Sequence, residues 1–75
     1  MEAWPSFSHD PRDPRYGPMR ASDHDRIVVQ QVLDEAYADG RLDRAEHEER
    51  SARAQQVRVL GDLNPLLHDL VAPPA

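Results

Sequence analysis

The sequence contains no cysteine and no lysine, and only four of its 75 residues are aromatic. Without cysteine the chain has no disulfide, thiolate metal site or thiol nucleophile. All nine of its basic residues are arginines, and 14 acidic residues bring the net charge to −5. Such a chain lacks the general positive field that supplies most non-specific affinity for a phosphate backbone, so nucleic-acid binding is disfavoured.

Long apolar runs are also missing. No segment approaches the roughly 20 apolar residues that span a bilayer. The first five residues, MEAWP, have neither the basic start nor the apolar stretch of a signal peptide. We therefore expect no membrane span and a cytoplasmic location. A chain of 75 residues forms at most one small domain of marginal stability, which a binding partner would help to stabilise.

Residues 1–18 contain four of the seven prolines, together with serine, glycine and mixed charges. This composition opposes helix formation and cannot build a core, which predicts a disordered tail. Its aromatic side chains, Trp4, Phe7 and Tyr16, could fill the pocket of a partner. A tail that folds back onto the helices is the alternative. Residues 73–75 are predicted to form a short C-terminal tail.

A helical pattern begins directly after this segment. Ser22 or Asp23 is a candidate N-cap, and Ser22 with Asp25 three residues later has the spacing of a weak capping box. Apolar residues then recur at steps of three and four, which places them on one face of a helix. These residues are Val29, Val32, Leu33, Ala36 and Tyr37. Gly40 lies where a helix C-terminus favours a positive φ, so the first helix is predicted to end there.

A second helix is predicted at about residues 44–56. Asp43 is its candidate N-cap, and Glu46 three residues later has the spacing of a capping box. Leu42 and His47 occupy the two positions of a hydrophobic staple, so His47 is expected to lean over Leu42. The glycine and aspartate signals together predict an antiparallel helical hairpin.

This second helix carries many charges and few apolar side chains. Glu46 and Arg50, like Glu49 and Arg53, lie four residues apart with the acid first, a spacing worth about 0.3 kcal/mol per pair. Paired catalytic carboxylates would need a desolvated group to separate their pKa values, and the surroundings here are polar. The acidic run is therefore interpreted as a solvated helix face.

The last segment is rich in leucine and predicts a short third helix. Pro65 is tolerated only in a first helical turn, so this helix begins either near Asp62 or at a turn capped by Asn64. The middle helix has too few apolar side chains to cover both neighbours, which predicts an exposed groove for a partner. The residues predicted to line it are Val32, Leu33, Leu63, Leu66, Leu67 and Leu70.

Four stretches of the sequence resemble a known family: MRASDHDR at 19–26, EAYADGRLD at 35–43, EHEER at 46–50 and LNPLLHDL at 63–70. In this order and spacing they resemble the SHOCT-like domain of actinobacterial proteins, a family without an established function. The resemblance implies a small all-helical module, which we place at residues 19–72. Related short domains are regarded as oligomerisation or interaction pieces, and the family brings no catalytic residues with it.

The four histidines are spread over different segments, at positions 9, 24, 47 and 68. No two of them have the three- or four-residue helical spacing of a compact metal site. The sequence also lacks a glycine-rich phosphate loop, and no serine has a histidine and an acid arranged about it. We therefore expect no metal, no cofactor and no enzyme activity.

The sequence as a whole predicts an all-α module of three helices, a helical hairpin plus a short C-terminal helix, with a disordered N-terminal tail. Its predicted role is to bind another protein or itself, including as a homodimer. The main alternative is a small transcriptional regulator that contacts DNA through Arg44, Arg50 and Arg53, although the interleaved acids argue against it. A third hypothesis is a regulatory subunit in which the aromatic tail binds the partner and the helices only support the tail.

Overall fold

The computed structural model of the chain describes residues 7–71. Its elements are α1 (Asp23–Ala38), α2 (Arg44–Gln56), a single 3-10 helix (Leu60–Leu63) and the short α3 (Asn64–Leu67). Within the described range the only strand-like pairing is an isolated antiparallel bridge between Arg20 and Val59. The predicted all-α module of a helical hairpin plus a short C-terminal helix is therefore confirmed.

α1 begins at a capping box formed by Ser22 and Asp25. The Asp25 backbone N–H donates to the Ser22 hydroxyl at 3.1 Å, and the Ser22 backbone N–H donates to the Asp25 carboxylate at 2.8 Å. These bonds satisfy amides of the first turn that have no partner within the helix. Further along, Val29, Leu33 and Ala36 have no exposed surface, so one face of α1 is fully buried.

The turn after α1 depends on Gly40, the one described residue with a positive φ, at 85°. The next two amides, those of Arg41 and Leu42, both donate to the Ala36 carbonyl, at 2.8 and 3.1 Å. Both bonds satisfy a carbonyl at the end of α1 that has no partner within the helix. The left-handed conformation of Gly40 thus ends α1 and directs the chain back toward α2.

We expect Gly40→Ala to lower the free energy of unfolding by about 1 kcal/mol, because a Cβ is strained in the left-handed region. No other atom lies within 4 Å of that Cβ, so the loss should come from the backbone alone. Urea unfolding followed by circular dichroism measures it. Gly40→Asn is the control, since asparagine tolerates this conformation better. A loss for alanine no larger than that for asparagine would contradict the explanation.

α2 begins at a second capping box. The Glu46 backbone N–H donates to the Asp43 carboxylate at 2.8 Å, and the Asp43 backbone N–H donates to the Glu46 carboxylate at 3.0 Å. Only Ala54 of α2 is buried. The helix therefore contributes little to the core, in keeping with its charged sequence.

One of the two ion pairs predicted along α2 is present, that between Glu49 and Arg53 at 3.7 Å. Arg50 does not form the predicted ion pair with Glu46, because the Glu46 carboxylate caps the helix. It binds Asp69 instead, with its two terminal nitrogens 2.6 and 2.8 Å from the two carboxylate oxygens. A bidentate pair of this kind fixes the relative position of the groups it joins, so it connects α2 to the residues after α3.

The 3-10 helix continues directly into α3, with Pro65 in the first turn. Of the two starts that the sequence left open, the later one is found, although Asn64 is the first residue of the helix and not its cap. The side-chain amide of Asn64 donates to the Pro11 carbonyl at 2.8 Å. The tail predicted at 73–75 lies outside the described residues.

The leucines of the C-terminal segment form the core of the single chain. Five of the six residues predicted to line an exposed groove are buried: Leu33, Leu63, Leu66, Leu67 and Leu70. The sixth, Val32, is half-buried against the same cluster. The predicted groove is therefore wrong, because the residues expected to line it pack inside the chain. Leu42, Val57 and Leu60, which lie outside α1, α2 and α3, belong to the same buried cluster.

Residues 7–18, which we call the N-terminal strap, lie against the helices. Pro11 is buried, and Phe7 and Tyr16 pack on the core. The interpretation as a disordered tail does not hold for this range, and the alternative of a segment that folds back describes it. Trp4 lies outside the described residues.

Candidate interaction surface

A shallow groove of about 400 Å³ runs between α1 and α2, and we call it the α1–α2 groove. Its lining includes Asp23, Ile27, Gln30, Gln31, Asp34 and Gln55. Ile27 is 58% exposed, more than any other large hydrophobic side chain that the structure describes. An aliphatic side chain is thus exposed to water within the α1–α2 groove.

Two side chains that line the groove, Gln30 and Asp34, form hydrogen bonds with residues of α2. The Gln30 amide donates to the Asp34 carboxylate at 2.9 Å and to the Ser51 hydroxyl at 3.0 Å. Nε2 of His47 lies 2.8 Å from the same carboxylate. The hydrogen bonds from His47 and Gln30 hold the pKa of Asp34 below its ordinary value. These bonds hold two of the side chains that line the groove in place.

The ring of His47 stacks on that of Tyr37, with 4.7 Å between the centroids. The sequence places Tyr37 on the core face of α1, yet it is 44% exposed. Leu42, the other half of the predicted staple, exposes only 2% of its surface and belongs to the core. His47 therefore contacts α1 across the hairpin, through Tyr37 and Asp34.

The arginines that could contact DNA are engaged within the chain. Arg44 pairs with Glu48 at 3.1 Å, Arg53 pairs with Glu49, and Arg50 pairs with Asp69. Binding to a phosphate backbone relies on positive charge that the ligand can neutralise. These contacts give DNA binding no support.

Two arginines also serve the C-terminal segment, a role that the sequence did not reveal. Arg50 donates to the Leu66 carbonyl at 3.1 Å, and Arg41 donates to the Leu70 carbonyl at 2.8 Å. Carbonyls at the end of a helix have no partner within it. Leu66 lies in α3, so Arg50 supplies the donor that its carbonyl lacks, and the two guanidinium groups together hold residues 66–70 against the hairpin.

A buried carboxylate, that of Asp25, joins the N-terminal strap to the start of α1. Asp25 has no exposed surface, and its oxygens accept bonds from the backbone N–H and the hydroxyl of Ser8, both at 2.7 Å. The same two groups of Ser22 donate at 2.8 and 2.9 Å. Burial opposes ionisation, but the bonds from Ser8 and Ser22 together outweigh it and hold the pKa of Asp25 below its ordinary value. An ionised side chain thus holds the strap in place.

The four histidines lie in different parts of the fold. His24 is in the first turn of α1, His9 packs on Tyr16 with 4.6 Å between ring centroids, and Nδ1 of His68 is 3.2 Å from the Pro65 carbonyl. Across residues 7–71 no three histidine, aspartate or glutamate side chains are grouped as a metal ion would require. The helices of this range are also too short or too polar to cross a bilayer.

The fold defines a small all-α module built on a capped helical hairpin. Residues 19–70 match the family described as the DUF1707 SHOCT-like domain. The match covers more than half of the chain, so the chain belongs to this family. It confirms the resemblance seen in the sequence.

The chain is similar to two proteins of Mycobacterium tuberculosis strain H37Rv. The uncharacterized protein Rv0048c is 45% identical over 51 residues, which are 68% of this chain and 18% of that protein. The uncharacterized protein Rv0966c is 40% identical over 65 residues, which are 87% of this chain and 32% of that protein. The chain therefore spans about a fifth of the first relative and about a third of the second. No solved structure matches it.

Proposed function

We propose that the chain is a protein–protein interaction module without catalytic activity, and that it associates with a second copy of itself through the α1–α2 groove. The observation that carries the proposal is Ile27, which is 58% exposed in a structure that buries its leucines. Removing such a side chain from water stabilises a complex by about 25 cal/mol for each Å² of apolar surface. This surface replaces the leucine groove predicted from the sequence.

The chemistry of the groove suits a second copy of the same groove. The side chains of Gln31 and Gln55 can each donate and accept hydrogen bonds, and the Gln30 carbonyl can accept one, so identical surfaces can satisfy one another. In a two-fold interface the same patch is used on both subunits, and Ile27 could pack on its counterpart near the axis. Such self-association fits a regulatory or adaptor role.

The relatives support the idea of a module. The matched segment forms only 18% of one relative and 32% of the other. A unit that occurs within longer proteins can serve there as an assembly domain, and small domains commonly gain stability from association.

Ile27→Asp is the substitution that tests the proposal. We expect the average mass of the unmodified chain to rise with concentration in sedimentation equilibrium, and Ile27→Asp to weaken association at least tenfold. Ile27 is exposed, so circular dichroism should show unchanged helicity. Aspartate would place a charge at the centre of an apolar contact, where it cannot be solvated.

Met19→Asp is the matched control. Met19 is also exposed, at 40%, and lies outside the α1–α2 groove. Its replacement should leave association unchanged. The proposal fails if the unmodified chain stays monomeric at every concentration, or if the Ile27 and Met19 variants associate equally well.

A further inference from the structure

We propose that the face of the helical domain beneath the N-terminal strap is a docking site for a peptide, and that the strap occupies this site in cis. The site is formed by Asp25, Gly61 and Asn64, and we call it the strap site. It fits a segment that carries a Phe-Ser pair with a proline three residues after the serine, as in Phe7, Ser8 and Pro11.

The polar contacts at the strap site are specific to particular atoms of the strap. The Asp25 carboxylate accepts hydrogen bonds from both the backbone N–H and the hydroxyl of Ser8, each at 2.7 Å. The Asn64 amide donates to the Pro11 carbonyl at 2.8 Å. Hydrogen bonds to an ionised carboxylate are stronger than neutral ones. The serine is therefore the main polar anchor of a bound peptide.

The shape of the site depends on a glycine. The Gly61 N–H donates to the Gly17 carbonyl at 3.0 Å, so the two backbones lie in direct contact. A Cβ on Gly61 would stand 3.2 Å from that carbonyl oxygen and 3.3 Å from the Gly17 Cα. Any side chain at Gly61 would thus push the bound segment outward, as expected where backbone must approach backbone.

The strap brings its own local structure to the site. Arg12 binds the Asp10 carboxylate through Nε and a terminal nitrogen, at 2.9 and 2.8 Å, and Arg15 binds Asp13 in the same manner. Backbone bonds from Asp13 to Asp10 and from Tyr16 to Asp13 close two successive turns. A free peptide that keeps these turns binds at a low cost of ordering.

The fit of the strap is incomplete, which makes it replaceable. Oδ1 of Asn64, within the strap site, is buried and has no hydrogen-bond partner in the described part of the chain. Leaving it unpaired costs free energy that a ligand with a suitable donor recovers. The family match begins at residue 19, directly after the strap, and includes all three residues of the strap site.

The first test uses the full chain and a fluorescent synthetic peptide of residues 7–18, with anisotropy as the readout. The unmodified chain should bind the peptide weakly, because its own strap competes at an effective concentration on the order of millimolar. The double variant Phe7→Ala, Ser8→Ala weakens only this competitor. We expect it to bind the peptide at least tenfold more tightly than the unmodified chain.

Three controls accompany this measurement. Adding Gly61→Ala to the double variant should weaken binding, because the peptide backbone must move away from the new Cβ, and a peptide with Ser8→Ala should bind at least tenfold more weakly. Ile27→Asp lies outside the strap site and should leave peptide binding unchanged. The proposal is overturned if the double variant binds no tighter than the unmodified chain, or if a scrambled peptide binds equally well.

A second measurement applies if the double variant loses helicity. Amide hydrogen exchange of the unmodified chain compares Gly61, which donates to the strap, with Leu33 in the middle of α1. A strap that leaves its site while the helices stay folded exposes the Gly61 amide alone. We expect exchange at Gly61 to be at least a hundredfold faster than at Leu33, and equal rates would overturn the proposal.

Discussion

Leu67→Ala is expected to lower the free energy of unfolding by about 2–5 kcal/mol. Leu67 lies in α3 with no exposed surface and belongs to the same cluster as Leu33 of α1. Its truncation removes apolar contacts and leaves a cavity between the two helices. A domain of 75 residues is typically stable by about 4–11 kcal/mol, so this single change removes a large share of the total.

Urea unfolding followed by circular dichroism gives the value, and Ile27→Ala is the matched control. Ile27 is also aliphatic but exposed, so its truncation should cost less than about 0.5 kcal/mol. Similar losses at the two positions would show that α3 is not packed as described. Charged substitutions at Leu66 or Leu67 should unfold the chain, and association must therefore be tested at Ile27.

The helix boundaries could be predicted because their signals are local. Each capping box joins residues three positions apart, Ser22 with Asp25 and Asp43 with Glu46. The end of α1 depends on the positive φ of one glycine, Gly40. Propensity and capping act over these short distances, so the sequence alone contains the necessary information.

Which residues bury the C-terminal leucines could not be predicted, since this depends on contacts between residues that are distant in the sequence. Counting apolar side chains helix by helix left the C-terminal leucines exposed, because it did not include Leu42 in the turn or Phe7 and Tyr16 in the strap, which all pack in or against the same cluster. The strap is held by Ser8 on Asp25, 17 residues apart, and by Pro11 on Asn64, 53 residues apart. No spacing rule connects such pairs.

The exposure of Ile27 could be predicted from its position in the helical repeat of α1. It lies two positions before Val29 in α1, so it cannot share the buried face that Val29 and Leu33 define. Isoleucine is usually buried, but the position of Ile27 on the opposite side of the helix indicates exposure. An apolar residue out of phase with its helix is thus a signal of exposure that the sequence alone contains.

Asp25→Ala is expected to lower the free energy of unfolding by about 3 kcal/mol at neutral pH. Four donors of Ser8 and Ser22 lose their common acceptor, and each buried donor left unpaired costs about 1–3 kcal/mol unless it finds another partner. Urea unfolding measures the loss. Asp23→Ala is the control, because Asp23 is an exposed acid in the same helical turn and should cost about 0.5 kcal/mol.

The pH dependence of this loss distinguishes an ionised Asp25 from a neutral one. Its pKa in the folded chain lies below the ordinary value of 3.8, so the stability that it contributes is present above about pH 4 and is lost as the pH falls through the folded pKa. The amide of Asp25→Asn does not titrate, so the unmodified chain should lose stability more steeply in acid than this variant. Asp34 and Asp69 also have lowered pKa values, but they are present in both proteins and cancel in the comparison. Parallel stability curves down to about pH 3 would mean that the strap is held by a neutral carboxyl group.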